Sequence, residues 1–154
     1  MLFTAQGKLV SALNALGLDT LSVLEAGEAD PPVYLLEQAG AGFGYHFEWE
    51  RYGPFSEALA ADLVQLRADD LEHPDDLDEH LAQVANRVRE VIEPPLASLP
   101  RATWIRLLAS VHFLTRYSGM RLTDGDRPAY LQSPPFEEGM IDTALERVGL
   151  LDPQ

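Results

Sequence analysis

Residues 43–59 read Phe43-Gly44-Tyr45-His46-Phe47-Glu48-Trp49-Glu50-Arg51-Tyr52-Gly53-Pro54-Phe55-Ser56-Glu57-Ala58-Leu59, and the fold turns on them. From Phe43 to Glu50 the aromatic residues recur at every second position, with Gly44, His46, Glu48 and Glu50 between them. Successive side chains of a strand point to opposite faces, so this period of two predicts a strand with an aromatic inner face and a polar outer one. One open face fits a small antiparallel sheet better than a buried parallel one. Pro54 biases Gly53 away from helical backbone, and Ser56 stands where an N-cap is needed for a helix from Glu57 to about Arg67.

Working outward, the flanking segments are helical. Leu9, Val10, Leu13 and Leu16 carry a helix over 4–16, and Gly17 is its stop. Residues 18–29 read as a short helix or a loop. Asp30, as N-cap, and Pro31 open a helix through Val33, Tyr34, Leu35 and Leu36 that closes at Ala39-Gly40. Leu77, Leu81, Val84, Val88, Val91 and Ile92 form a stripe ended by Pro94-Pro95, with Asp75 or Asp76 as its cap. The most apolar helix follows Pro100 and carries Trp104, Leu107, Leu108, Val111, Leu114 and Tyr117. Asp124-Gly125-Asp126 is compatible with a short hairpin. Ser133 is a cap candidate for a last helix with Phe136, Met140, Ile141, Leu145 and Val148, stopped by Gly149. No repeat or linker interrupts the chain, so residues 1–154 are expected to form one domain. The fold class is mostly α with a small antiparallel β-sheet, that is, compact α+β.

Composition narrows function. The chain of 154 residues has 11 Lys plus Arg against 25 Asp plus Glu, a formal net charge of −14. That field opposes binding to bare phosphate backbone. It is concentrated in residues 1–100, which hold 18 acidic and 5 basic residues. Within them Asp69, Asp70, Glu72, Asp75, Asp76, Asp78 and Glu79 form an acidic run without Lys or Arg, where a cationic partner would be steered or which solvent simply covers. The absence of cysteine excludes disulfides, thiolate metal sites and a Cys nucleophile. No apolar stretch is long enough to span a bilayer and residues 1–8 lack a signal-peptide pattern, so a soluble, cytoplasmic protein is expected.

Catalytic templates do not fit. No Gly-Lys-Ser or Gly-Lys-Thr phosphate loop occurs, and Gly40, Gly42 and Gly44 precede an aromatic strand rather than a helix N-terminus. His73 and His80 flank Asp75, Asp76, Asp78 and Glu79 without the spacing of a Ca²⁺ loop, so no metal site and no cofactor are expected. Ser56 is read as a cap rather than a nucleophile, His46 as a surface residue, and His112 as a packed core histidine. No catalytic residue is assigned.

The block Tyr45–Leu59, with Tyr52-Gly53-Pro54-Phe55-Ser56 at its centre, resembles the signature of Panacea-type domains, which include SocA-like antitoxins, phage-associated proteins and related YwgA-like proteins. Trp104 to Leu114 resembles the second apolar helix of that family. The resemblance covers residues 33–67 and 104–117. It implies a mostly helical, winged-helix-related domain and a binding activity, as antitoxin or as adaptor. Tyr52, Gly53, Pro54, Phe55 and Ser56 are then either a structural turn or part of a binding surface. The leading expectation is a non-enzymatic module that meets a basic protein partner through the acidic run. The alternatives are a winged-helix DNA-binding regulator, or an acidic DNA mimic that inhibits a nucleic-acid enzyme. Direct DNA binding is disfavoured, because the helix after Ser56 offers only Arg67 against Glu57 and Asp62.

Overall fold

The computed structural model describes residues 5–50, 53–66, 71, 76–119, 131 and 136–151. Its elements are α1 (Ala5–Ala15), α2 (Thr20–Glu25), α3 (Asp30–Gln38), β1 (Glu48–Glu50), β2 (Gly53–Phe55), α4 (Glu57–Val64), α5 (Glu79–Ile92), α6 (Arg101–Arg116), α7 (Glu138–Val148) and a 3₁₀ turn (Gly149–Leu151). The protein is thus mostly helical with one two-stranded antiparallel sheet, the fold class expected from the sequence. Among the described residues no helix is long and apolar enough to cross a membrane.

The centre is α6. Leu107 through Leu114 are all buried, so this helix is surrounded rather than one-sided. It packs against α7, α3 and β2, while α1 lies on α5 and α3. Trp104 is fully buried, and its indole N–H donates to the Ile92 carbonyl at 2.9 Å. A buried indole needs such a partner.

Three arginines close helix C-termini, where carbonyls lack intrahelical donors. Arg87 donates to Ala39 O at the end of α3, and Arg101 donates to Leu16 O and Gly17 O after α1 while pairing with Glu93. Arg147 donates to Val91 O and Pro94 O at the end of α5, with its guanidinium 5.9 Å from the Trp104 ring centroid. Each puts positive charge at the negative end of a helix.

Several local expectations are corrected. The aromatic segment pairs as a strand only over Glu48–Glu50, not from Phe43. Gly42 (φ 75°) and Gly44 (φ 87°) take left-handed backbone, which turns the Phe43 and Tyr45 amides away from any ladder. Both amides instead donate to the Glu37 carboxylate, at 2.8 and 2.7 Å. Asp30 lies inside the first turn of α3 rather than capping it, and its carboxylate accepts the Ser56 N–H at 3.3 Å. The cap of α5 is Asp78, which accepts from the Leu81 amide at 2.7 Å, not Asp75 or Asp76. The Gly149 stop holds: α7 ends at Val148 with Gly149 as its C-cap, and the 3₁₀ turn follows. The open segment before α3 contains α2. The hairpin around Asp124-Gly125-Asp126 and the Ser133 cap fall outside the described residues.

The Glu37 carboxylate holds two backbone amides of a glycine-rich segment, each in a charge-assisted bond. Glu37→Ala is therefore expected to lower stability by about 2 kcal/mol in chemical denaturation, and Glu37→Gln by less, since its amide oxygen still accepts one of them.

Candidate functional site

The aromatic hairpin lies across two helices that run in the same direction. Tyr34 of α3 shares a buried 2.7 Å hydrogen bond with Nδ1 of His112 on α6, 78 residues later. One turn further along, the Tyr117 hydroxyl donates to Gln38 at 2.8 Å, a separation of 79. The near-constant offset means that α3 and α6 advance together. Phe47 meets the Tyr34 ring edge-on at 5.3 Å, and Trp49 lies 5.9 Å from Phe113, which in turn stands 5.3 Å from Tyr117. Aromatic contacts at these spacings add to the burial of the rings themselves. Tyr45 donates to Asp62 at 2.6 Å; burial foremost, and then this carboxylate, pushes the phenol well above its ordinary pKa.

β1 and β2 pair Glu48 with Phe55, Trp49 with Pro54 and Glu50 with Gly53. Gly53 is buried at φ 140°, and a Cβ there would stand 3.2 Å from Ser110 Oγ of α6. Both the backbone and the neighbour demand glycine. Ser110 is itself fully buried with an unpartnered hydroxyl. Pro54 is buried and Phe55 half-buried. Ser56 is the N-cap of α4, accepting from the Leu59 amide at 3.2 Å, as read from the sequence. Its neighbour Asp30 is partly withdrawn from water, and this burial raises its pKa against the opposing effect of the Ser56 amide. Tyr52 lies outside the described residues.

Two clefts border this hairpin. One, of about 440 Å³, is lined by Gly27, Asp30, Pro31, Glu50, Gly53, Pro54, Phe55 and Arg106. The other, of about 420 Å³, lies toward the C-terminal ends of α3 and α6 and is lined by Tyr34, Gln38, Tyr45, His46, Phe47, Glu48, Trp49, Phe113 and Tyr117. The four residues Gly53 to Ser56 therefore form a structural turn whose first three residues also wall a cleft.

Of the acidic run, Asp76, Asp78 and Glu79 are described and exposed; Asp69, Asp70, Glu72 and Asp75 lie outside the described residues. Beside the described end of the run, His80 Nε2 bonds the Gly40 carbonyl at 2.7 Å, in the glycine-rich segment that leads into the aromatic groove. His46 is exposed and 3.9 Å from Glu48, a surface pair of small energetic weight, and His112 is packed in the core as expected. Among the described residues no group of three or more His, Asp or Glu comes together in a way that could hold a metal ion. Comparison with family models, curated proteins and solved structures finds no match.

Sequence reasoning missed Arg106, Phe113 and Tyr117 as site residues. The apolar stripe on α6 assigned Tyr117 to packing, yet it is 58% exposed and available to a ligand. The only signal for Arg106 was a cation standing within the most apolar helix, four residues before Ser110.

Two measurements check this geometry. Gly53→Ala should cost about 1 kcal/mol or more in chemical denaturation, and Ser110→Ala should be neutral or stabilising, because it removes a buried hydroxyl that bonds nothing. Asp30→Asn keeps an acceptor for the Ser56 amide but removes the charge. Burial raises the Asp30 pKa above its ordinary value, so its contribution to stability is full in acid and lost as pH rises through the folded value. The stability of the Asn variant relative to the parent should accordingly increase from acid toward neutral pH.

Proposed function

We propose that this chain is a non-enzymatic protein-binding module, antitoxin-like or adaptor-like, that receives a basic segment of its partner. One observation carries the reading: the groove beside β1 is walled by Tyr45, Trp49, Phe113 and Tyr117, is rimmed by Glu48, and has no Lys or Arg among the described residues of its lining. Ring faces attract guanidinium and ammonium groups, most strongly where water is partly excluded. The carboxylate at the rim then supplies the opposite charge. A net charge of −14 draws a cationic partner from a distance, and Asp76 and Glu79 are exposed to it. The engagement of Ser56 as a buried helix cap supports a binding role over a nucleophilic one. The antitoxin-like or adaptor-like character and the winged-helix relation rest on the resemblance of residues 45–59 and 104–114.

The chain has two tryptophans; Trp104 is fully buried, so Trp49 reports on the groove. An arginine-rich peptide should change the Trp49 emission in a saturable, salt-sensitive way, and the same peptide with citrulline in place of arginine should not. Tyr117→Ala should weaken the arginine peptide about tenfold, the loss of one aromatic contact at a partly desolvated site. Glu48→Gln combined with Asp76→Asn and Glu79→Gln should slow association and flatten its salt dependence, with stability barely changed. Equal binding of the two peptides, or indifference to all these substitutions, refutes the reading. Tight, salt-sensitive binding of duplex DNA by the unmodified protein would instead favour the winged-helix regulator.

A further inference from the structure

The second cleft is chemically unlike the first. Arg106 projects from α6 into the cavity of about 440 Å³ whose walls also carry Asp30 and Glu50, yet Arg106 forms an ion pair with neither. Unlike Arg87, Arg101 and Arg147, it also caps no helix carbonyl. Among the described residues the cleft therefore presents one positive and two acidic groups that remain separate, over an apolar floor of Pro31, Pro54 and Phe55. A smaller cavity of about 220 Å³ shares Gly27 and Asp30 with it and continues to Leu24, Leu63 and Val64. Val64 is 85% exposed, an apolar side chain left open at the end of that extension.

These three sectors restrict the ligand. A simple anion would meet Arg106 but also the two carboxyl groups. A simple cation would meet the carboxyl groups but also Arg106. A molecule that carries both charges satisfies both sectors at once, and an aliphatic side chain on it would cover the apolar extension. The volume lies within the ordinary range of small-molecule sites, about 300–1,000 Å³, and exceeds what one small amino acid fills. We propose that the cleft between the start of α3, the hairpin and Arg106 binds a zwitterionic, dipeptide-sized molecule with an aliphatic side chain, its carboxylate on Arg106 and its ammonium toward Glu50 and Asp30. The site is independent of the aromatic groove.

The test uses the full chain, ¹⁵N-labelled, and the dipeptide Leu-Leu as probe, with N-acetyl-Leu-Leu, Leu-Leu-amide and free leucine as comparators. Leu-Leu should shift the amide resonances of Gly27, Gly53 and Phe55 saturably and leave those of His46 and Trp49 in place. N-acetyl-Leu-Leu lacks the cation and Leu-Leu-amide lacks the anion, so each should bind about tenfold more weakly or worse. Free leucine, which leaves the larger volume unfilled, should also bind more weakly than the dipeptide. Arg106→Gln and Glu50→Gln should each reduce Leu-Leu affinity by a similar factor while keeping the parent's amide spectrum elsewhere and its response to the arginine-rich peptide. The proposal is overturned if Leu-Leu produces no shifts at the cleft, if either singly charged analogue binds as well as the zwitterion, or if Arg106→Gln binds it unchanged. None of these results bears on the groove beside Trp49, whose failure would appear with the peptide probe alone.

Discussion

The hydrogen bond between Tyr34 and His112 is the constraint on which the functional face depends. It joins two polar groups in a largely apolar centre, where leaving one unmatched would cost more than the bond itself gains. A hydrophobic contact tolerates sliding; this contact has one geometry. It sets α3 against α6 in one register, and the hairpin then rests on the pair through Phe47 against Tyr34 and Gly53 against Ser110. Asp30 and Arg106 precede the bond along the two helices, and Gln38 and Tyr117 follow it, so both clefts inherit their walls from that register.

Charge is distributed with the same economy. Arg87, Arg101 and Arg147 are committed to carbonyls at the ends of three helices, which satisfies acceptors that the helices cannot satisfy themselves. In a chain with only 11 basic residues against 25 acidic ones, this leaves few cations to offset the carboxylates. The groove beside Trp49, with a glutamate and no cation among its described lining residues, follows that balance. The cleft at Arg106 departs from it.

The helices were legible because burial imposes a period, and the stripes of α5, α6 and α7 repeat it over three or more turns. The capped turn at Ser56 was legible for a similar reason, since a hydroxyl directly before a helical stripe has one common use. The strand was legible only in part. Aromatic alternation from Phe43 is a real period of two, but the intervening Gly42 and Gly44 allow left-handed backbone, and a glutamate six residues before Phe43 captures the amides that a ladder would have used. The cap of α5 failed differently: Asp75, Asp76 and Asp78 are chemically equivalent, and only the position of the Leu81 amide chooses among them. The site was least legible, because Tyr34 with His112 and Asp30 with Arg106 are neighbours only after α3 and α6 align, and nothing in either local sequence records the other.

That long separation has a kinetic consequence. α5, α6 and α7 are near neighbours along the chain, so their association closes short loops, whereas bringing Tyr34 to His112 closes one of 78 residues. The entropy of closure grows with loop length, and contacts of this kind form late unless something else shortens the effective loop. α1 meets α5 across a separation of the same order, so whichever of the two contacts forms first shortens the effective loop that the other must close. The binding face therefore draws on contacts between distant parts of the chain, and its formation is coupled to that of the helical core.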